Sequence, residues 1–240
     1  MKAGLLIAAL LSAAPVVGSA ATFGDNLVVN GDAELSTGGN GDPIGPVTGF
    51  TTTGEFTVVA YATGGGYPTA ADPGPANRGL NFFSGGSDAS DSTGTQAIDV
   101  STGSSAIDGG SSTFDLSAWL GGFASQEDHA TITLTFLDDS GAAIGPGAVL
   151  GPVTATDRND LTGLLFRETT GFVPAGTRTI DLTLDMLKFT GFADDGYADN
   201  VSLVLNAGGV SAVPETGSLA LCLAGLGLVG LASKRRVGSL

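Results

Sequence analysis

The chain has 240 residues, 24 of them acidic and nine basic, for a net charge of −15 at neutral pH with its single histidine uncharged. A surface of that sign repels nucleic acid and anionic lipid headgroups and argues against nucleic-acid binding as a function. The only cysteine is Cys222, close to the C-terminus; the body of the chain therefore has no disulfide and must be held by packing, hydrogen bonds or a bound metal.

Residues 1–20 read as a cleavable signal peptide. Lys2 supplies the positive start, Leu5 to Leu11 an unbroken apolar run, and Gly18-Ser19-Ala20-Ala21 the small residues that signal peptidase requires, so the mature chain is expected to start at Ala21 or Thr22. Residues 21–208 then form one ectodomain, long enough for a single sandwich with a real core. Five basic residues stand against 23 acidic ones over residues 21–212, a net of −18, which suits a solubilising extracellular surface or cation binding.

Along the ectodomain the strand signal is period-2 alternation. Weak candidates come first: Leu27 to Val29, Phe56 to Tyr61, Gln96 to Val100 and Thr113 to Leu116. Ala130 to Phe136 is the clearest, with Ala130, Ile132, Leu134 and Phe136 inward and three threonines outward. Ile180 to Met186 repeats it with Asp181 and Asp185 on the wet side, and Val201 to Leu205 closes the domain. Asp138-Asp139-Ser140-Gly141 predicts a hairpin turn and Pro174-Ala175-Gly176 a turn before the next strand, while 39–46 and 64–75 read as Gly/Pro-rich surface loops. No helical stripe occurs between the termini. The expected fold is all-β: an antiparallel β-sandwich of the jelly-roll type, flanked by an N-terminal signal helix and a C-terminal transmembrane helix.

The chain ends in Val213-Pro214-Glu215-Thr216, an uncharged stretch from Gly217 to Ser233, and the cluster Lys234-Arg235-Arg236. As a helix, residues 217–233 reach about 25 Å at ~1.5 Å each, a little short of a ~30 Å hydrocarbon core, so the basic cluster would snorkel on the cytoplasmic side. Pro214, Glu215 and Arg235-Arg236 make this tail, residues 209–240, resemble the PEP-CTERM sorting signal. That resemblance implies processing by an exosortase, a membrane-embedded cysteine transpeptidase, and a protein displayed at or released from the cell surface. Thr216 departs from the pattern, where a second proline is usual. Val213 to Gly217 also resembles the LPxTG signal of sortases. Both readings give a covalently sorted surface protein.

Two further segments carry a resemblance to galactose-binding-like and carbohydrate-binding-module jelly rolls: Asn26-Leu-Val-Val-Asn-Gly-Asp-Ala-Glu34 at the start and Asp195-Gly-Tyr-Ala-Asp-Asn-Val-Ser-Leu203 at the end. It implies that the first and last strands lie side by side. It also implies a structural Ca²⁺ between them, with Glu34 and Asp199 as ligands and Asp32 or Asn30 as additions, Ca²⁺ requiring six to eight oxygens; the competing reading of Glu34 and Asp199 is solvated strand-end acids. Asp88, Asp91 and Asp99 lack EF-hand spacing and read as a solvated loop, and Asp194-Asp195 as a turn.

A sugar site needs exposed aromatic rings with amide or carboxylate partners. The candidates are Tyr61, Tyr67, Trp119 and Tyr197; Tyr67, between Gly and Pro, is the surface choice, and Trp119 is read as core. No nucleophile elbow, zinc motif or phosphate loop occurs, and His129 reads as a strand-edge residue. The sequence thus ranks a non-catalytic, biofilm-associated surface or extracellular-matrix protein first, a glycan-binding module with an exopolysaccharide partner second, and a glycoside hydrolase last.

Overall fold

The computed structural model describes residues 22–88 and 91–208. The signal peptide, the motif at Val213 to Thr216, the apolar stretch after it and the Lys234-Arg235-Arg236 cluster lie outside the described residues. Among the described residues no helix is long and apolar enough to cross a membrane.

Among the described residues, ten strands form two antiparallel five-stranded sheets. Sheet 1 takes the order β1-β4-β9-β6-β7 and sheet 2 the order β2-β3-β10-β5-β8. In chain order the strands are β1 (Thr51–Thr53), β2 (Thr57–Ala60), β3 (Asn81–Gly86), β4 (Asp91–Asp99), β5 (Thr113–Gly122), β6 (His129–Leu137), β7 (Ala148–Leu150), β8 (Gly163–Phe172), β9 (Thr179–Leu187) and β10 (Asp194–Asn206). One turn of 3₁₀ helix and the five-residue α1 (Ser104–Asp108) join β4 to β5.

The alternating runs behave as their pattern requires. β6 and β9 pair with Ile132 opposite Leu184, Leu134 opposite Leu182 and Phe136 opposite Ile180, and all six side chains are buried. Facing them from sheet 2 are Leu116, Ala118 and Leu120 of β5 and Ala198, Leu203 and Leu205 of β10, within one core cluster. Burying an aliphatic side chain of this size contributes ~1.5–3 kcal/mol, so the layer between β6–β9 and β5–β10 supplies what a disulfide-free chain needs. The predicted turns form: Asp138 N–H donates to Ala142 O between β6 and β7, and Thr177 N–H to Pro174 O before β9.

Several expectations need correction. Leu27 to Val29 is not a strand; the segment makes a single bridge, Asn26 to Val204, because its backbone turns away to build a loop. Asp91 and Asp99 are the ends of β4, not a loop. Asp194-Asp195 is not an exposed turn but the buried start of β10. Strands β1, β3, β7 and β8 were not foreseen.

Candidate functional site

Directly opposed residues in an antiparallel ladder point to the same face. The register places Asp199 opposite Trp119 on β5, and Trp119 opposite Phe166 on β8. This row lies on the outer face of sheet 2, away from the core. The cause is visible in β5: Phe114, Leu116, Ala118 and Leu120 take the core face, leaving Asp115, Ser117 and Trp119 outside. Trp119 is therefore not a core residue. It is half-buried against a second, smaller cluster of Val59, Tyr61, Phe82, Leu164 and Tyr197. Its ring centroid lies 5.9 Å from that of Phe166 at an angle of 59°, and Phe166 is 45% exposed.

Beside this aromatic pair opens a cleft of about 590 Å³, lined by Trp119 and Phe166 together with Asp32, Asn77, Ser117, Asn200 and Ser202. Its far wall is made by a bulge. The β10–β5 register shifts between Asp199 and Ser202, and Asn200 takes φ +50°, a left-handed conformation that asparagine tolerates. The bulge carries Asn200 out to the rim, where its Nδ2 donates to Asn77 Oδ1 at 3.2 Å.

The backbone that the bulge frees is taken up by the opening segment. Val201 N–H donates to Gly31 O at 2.8 Å, and Val201 O accepts Asn26 Nδ2 at 3.2 Å. Asn26 Oδ1 in turn accepts the N–H groups of Val28 and Leu203. A Cβ on Gly31 would sit 2.0 Å from Val201 O, so only glycine permits this approach. Asn30, at φ +59°, ties the following loop through Nδ2 to Ser36 Oγ and Thr48 O and through Oδ1 to Leu35 N–H. The two signature segments thus meet, and what joins them is amide and backbone hydrogen bonding.

The three carboxylates expected to hold calcium are engaged otherwise. Asp199 is buried; its Oδ2 accepts the Tyr61 hydroxyl at 2.7 Å and its Oδ1 the Asn200 N–H at 2.7 Å. Burial outweighs these bonds and, with the negative charges of Glu34 and Asp32 nearby, pushes its acid up to about 7. Glu34 Oε1 accepts the N–H groups of Leu80 and Asn81, both at 2.8 Å, and Asp32 Oδ1 accepts Glu34 N–H at 3.3 Å. Among the described residues no group of three or more His, Cys, Asp or Glu side chains is arranged to hold a metal ion. Glu34 Oε1 and both oxygens of Asp199 already accept internal hydrogen bonds, so a calcium ion, which needs six to eight oxygen ligands, would have to displace those donors.

Of the two tyrosines proposed for sugar stacking, one is buried and the other half-buried. Tyr61 is 6% exposed, packs 4.8 Å from Phe82 and lies under the Arg78 guanidinium at 5.1 Å. Burial, then the Asp199 charge, raises its hydroxyl well above the usual tyrosine value. Tyr67 is half-buried, its ring 6.2 Å from Phe82 and 5.9 Å from Tyr197. Arg78 fixes the loop above them by donating to the carbonyls of Pro75, Thr69 and Asp72.

A second group of carboxylates lies at the start of β10. Asp128 is buried and accepts the N–H groups of Phe189, Thr190 and Asp195, pinning the β9–β10 loop. Asp195 Oδ1 accepts the Tyr197 hydroxyl. Asp194 accepts Gly196 N–H through Oδ1, whereas its buried Oδ2 has no partner; burial pushes this acid up to about 7. His129 opens β6, with Nδ1 against Glu127 O at 2.6 Å and its ring stacked on Phe189.

Phe166, Asn77, Asn200, Ser117 and Ser202 escaped the sequence reading. The alternation of β5 was the signal that could have found Trp119 and Ser117.

No protein-family model and no curated protein matches the chain. Solved structures match at low similarity. A family 16 carbohydrate-binding module is 18% identical with a TM-score of 0.42, over 75% of this chain and 99% of that one. The enzymatically active domain of bacteriophage CBA120 tailspike protein 4 is 19% identical with a TM-score of 0.42, over 70% of this chain but only 21% of that one, so the chain spans about a fifth of the tailspike polypeptide. The CBM22-1 xylan-binding domain of Paenibacillus barcinonensis Xyn10C is 12% identical with a TM-score of 0.35, over 68% of this chain and 89% of that one.

Proposed function

We propose that the chain is an exported, non-catalytic surface module whose sandwich binds a glycan chain in the cleft beside Trp119 and Phe166. A fold hosts many functions, so the reading rests on the site. The observation that carries it is the combination in one cleft of two aromatic rings, half-buried Trp119 and exposed Phe166, with amides from Asn77 and Asn200 and hydroxyls from Ser117 and Ser202. Rings supply apolar area against the C–H face of a pyranose, and the small polar groups match its hydroxyls. The volume lies within the ~300–1,000 Å³ typical of ligand clefts. Because the rings are tilted by 59°, they offer no flat platform; the cleft suits a single twisted chain in solution and not a crystalline surface.

We read the chain as a module that holds its glycan. Asp199, beside the cleft, is closed off by Tyr61 and Asn200 and so is not free to act as one of the pair of carboxyls that glycoside cleavage needs. Export through the signal peptide, and sorting by an exosortase at Pro214-Glu215, are the route by which such a module would reach exopolysaccharide at the cell surface or in a matrix.

The test is binding of the full chain to a panel of soluble polysaccharides by affinity electrophoresis and calorimetry. Retention is expected with at least one glycan, and Trp119→Ala should weaken it about 30-fold, the ~2 kcal/mol of a central aromatic contact. Phe166→Ala, at a more exposed position, separates lost binding from lost folding. Binding unchanged in both folded variants would refute the site.

A further inference from the structure

The charge around the cleft narrows the class of glycan, an inference that rests on the cleft being the glycan site. Recognition of a uronate, sulfate or phosphate on a polysaccharide needs a cation with donors to spare. The described residues contain five basic side chains, and every one has a partner within the protein. Arg158 is buried and donates to four backbone carbonyls, those of Leu161, Val153, Ala124 and Gln126. Arg78 donates to three carbonyls and lies over Tyr61. Arg167 pairs with Asp157 at 3.3 Å and Arg178 with Asp108 at 2.8 Å. Lys188 donates to Phe192 O in its own loop.

None of the five lines the cleft. The charges that do reach it are negative. Asp32 lies in its wall, and exposed Glu168 stands directly opposite Ser117, on the same face of the sheet. The remaining polar lining is neutral amide and hydroxyl. An anionic sugar entering here would lose water, meet two carboxylates and find no cation, inside a domain whose net charge is already strongly negative.

We infer that the cleft selects uncharged glycan chains and rejects anionic ones, with Asp32 and Glu168 as the excluding charges. Rejection by like charge is a specificity device separate from the affinity supplied by the rings. It also predicts the salt response: repulsion of exposed charges fades as the screening length falls from ~10 Å at 0.1 M to ~3 Å at 1 M salt, whereas ring stacking does not.

Matched polymers test this. One neutral β-glucan backbone that the full chain retains is compared with the same backbone after oxidation of its primary hydroxyls to carboxylates. The expected result is at least about tenfold weaker binding of the oxidised polymer at low salt, partly recovered at 1 M salt, with binding of the neutral polymer unaffected. Asp32→Asn combined with Glu168→Gln should narrow the ratio between neutral and oxidised binding. Equal or tighter binding of the oxidised polymer, still lost in Phe166→Ala, would overturn the charge inference and leave the glycan site standing. Retention of no polymer, neutral or oxidised, would overturn the glycan reading and the inference with it.

Discussion

Two buried carboxyls on β10 make a prediction about stability against pH. Asp194 and Asp199 flank the strand's two register shifts, both are fully buried, and neither forms an ion pair. Both acids are pushed up from 3.8 to about 7, in each case mainly by burial. Asp194 faces the further charges of Asp128, Asp91 and Asp195, and Asp199 those of Glu34 and Asp32. A folded-state value above the unfolded one means that the native protein holds protons that the unfolded chain has released. The associated stability is fully present below pH 3.8 and is lost as pH rises through about 7. Each group shifts by roughly three units, an upper bound of ~4 kcal/mol per carboxyl between those limits. At ~2–4 °C per kcal/mol for a domain of this size, one group alone corresponds to a melting temperature ~8–16 °C higher in acid. Thermal melts from pH 5 to pH 8 should therefore show a falling midpoint, and Asp199→Asn, which keeps an acceptor for the Tyr61 hydroxyl, should flatten the slope and stabilise the protein at pH 8. A midpoint that rises steadily between pH 5 and 8, or an Asp199→Asn and Asp194→Asn double variant with the wild-type profile, would refute the reasoning.

Three other outcomes follow from the geometry. Calcium at near-stoichiometric to millimolar levels should leave the melting temperature unchanged, since Glu34 Oε1 and both Asp199 oxygens are engaged by internal donors; a rise of several degrees would show that those donors yield to metal. Gly31→Ala should destabilise by at least ~1–3 kcal/mol in urea unfolding, because its methyl group would overlap Val201 O. Arg158→Met should cost ~3–5 kcal/mol by orphaning four buried or half-buried carbonyls, a loss measurable in the same experiment.

What the sequence made legible was the part of the fold governed by burial on one side only. β6 and β9 alternate strictly because one face meets the core and the other meets water, so Ile132, Leu134, Ile180 and Leu182 could be placed in advance. β3 defeats that reading because it is covered on both faces: Phe83 enters the main core while Phe82 enters the second cluster, and a consecutive pair of phenylalanines carries no period of two. β8 defeats it for the opposite reason. It is an edge strand, and beyond Leu164 no residue is fully buried, so Phe166 and Phe172 stand exposed where a core pattern would put polar residues.

The site was obscured by a different mechanism. Trp119 was judged by residue type, when its neighbours in β5 already fixed its direction: with Leu116, Ala118 and Leu120 facing the core, residue 119 has to face away. Asn77 and Asn200 come together through a loop clamped by Arg78 and a bulge in β10, neither of which leaves a periodic trace. The segments that did stand out, Asn26 to Glu34 and Asp195 to Leu203, are conspicuous because their conformations tolerate few residues. Asn30 and Asn200 occupy left-handed backbone, Gly31 admits no side chain, and Asn26 satisfies three backbone groups at once. Such constraints mark the scaffold that closes the sandwich and shapes one wall of the cleft. The residues that would touch a glycan, Trp119, Phe166 and Asn77, carry no comparable backbone demand and are free to vary with the ligand. Motif-like sequence therefore points to where the cleft is built, and only the register across β10, β5 and β8 points to what fills it.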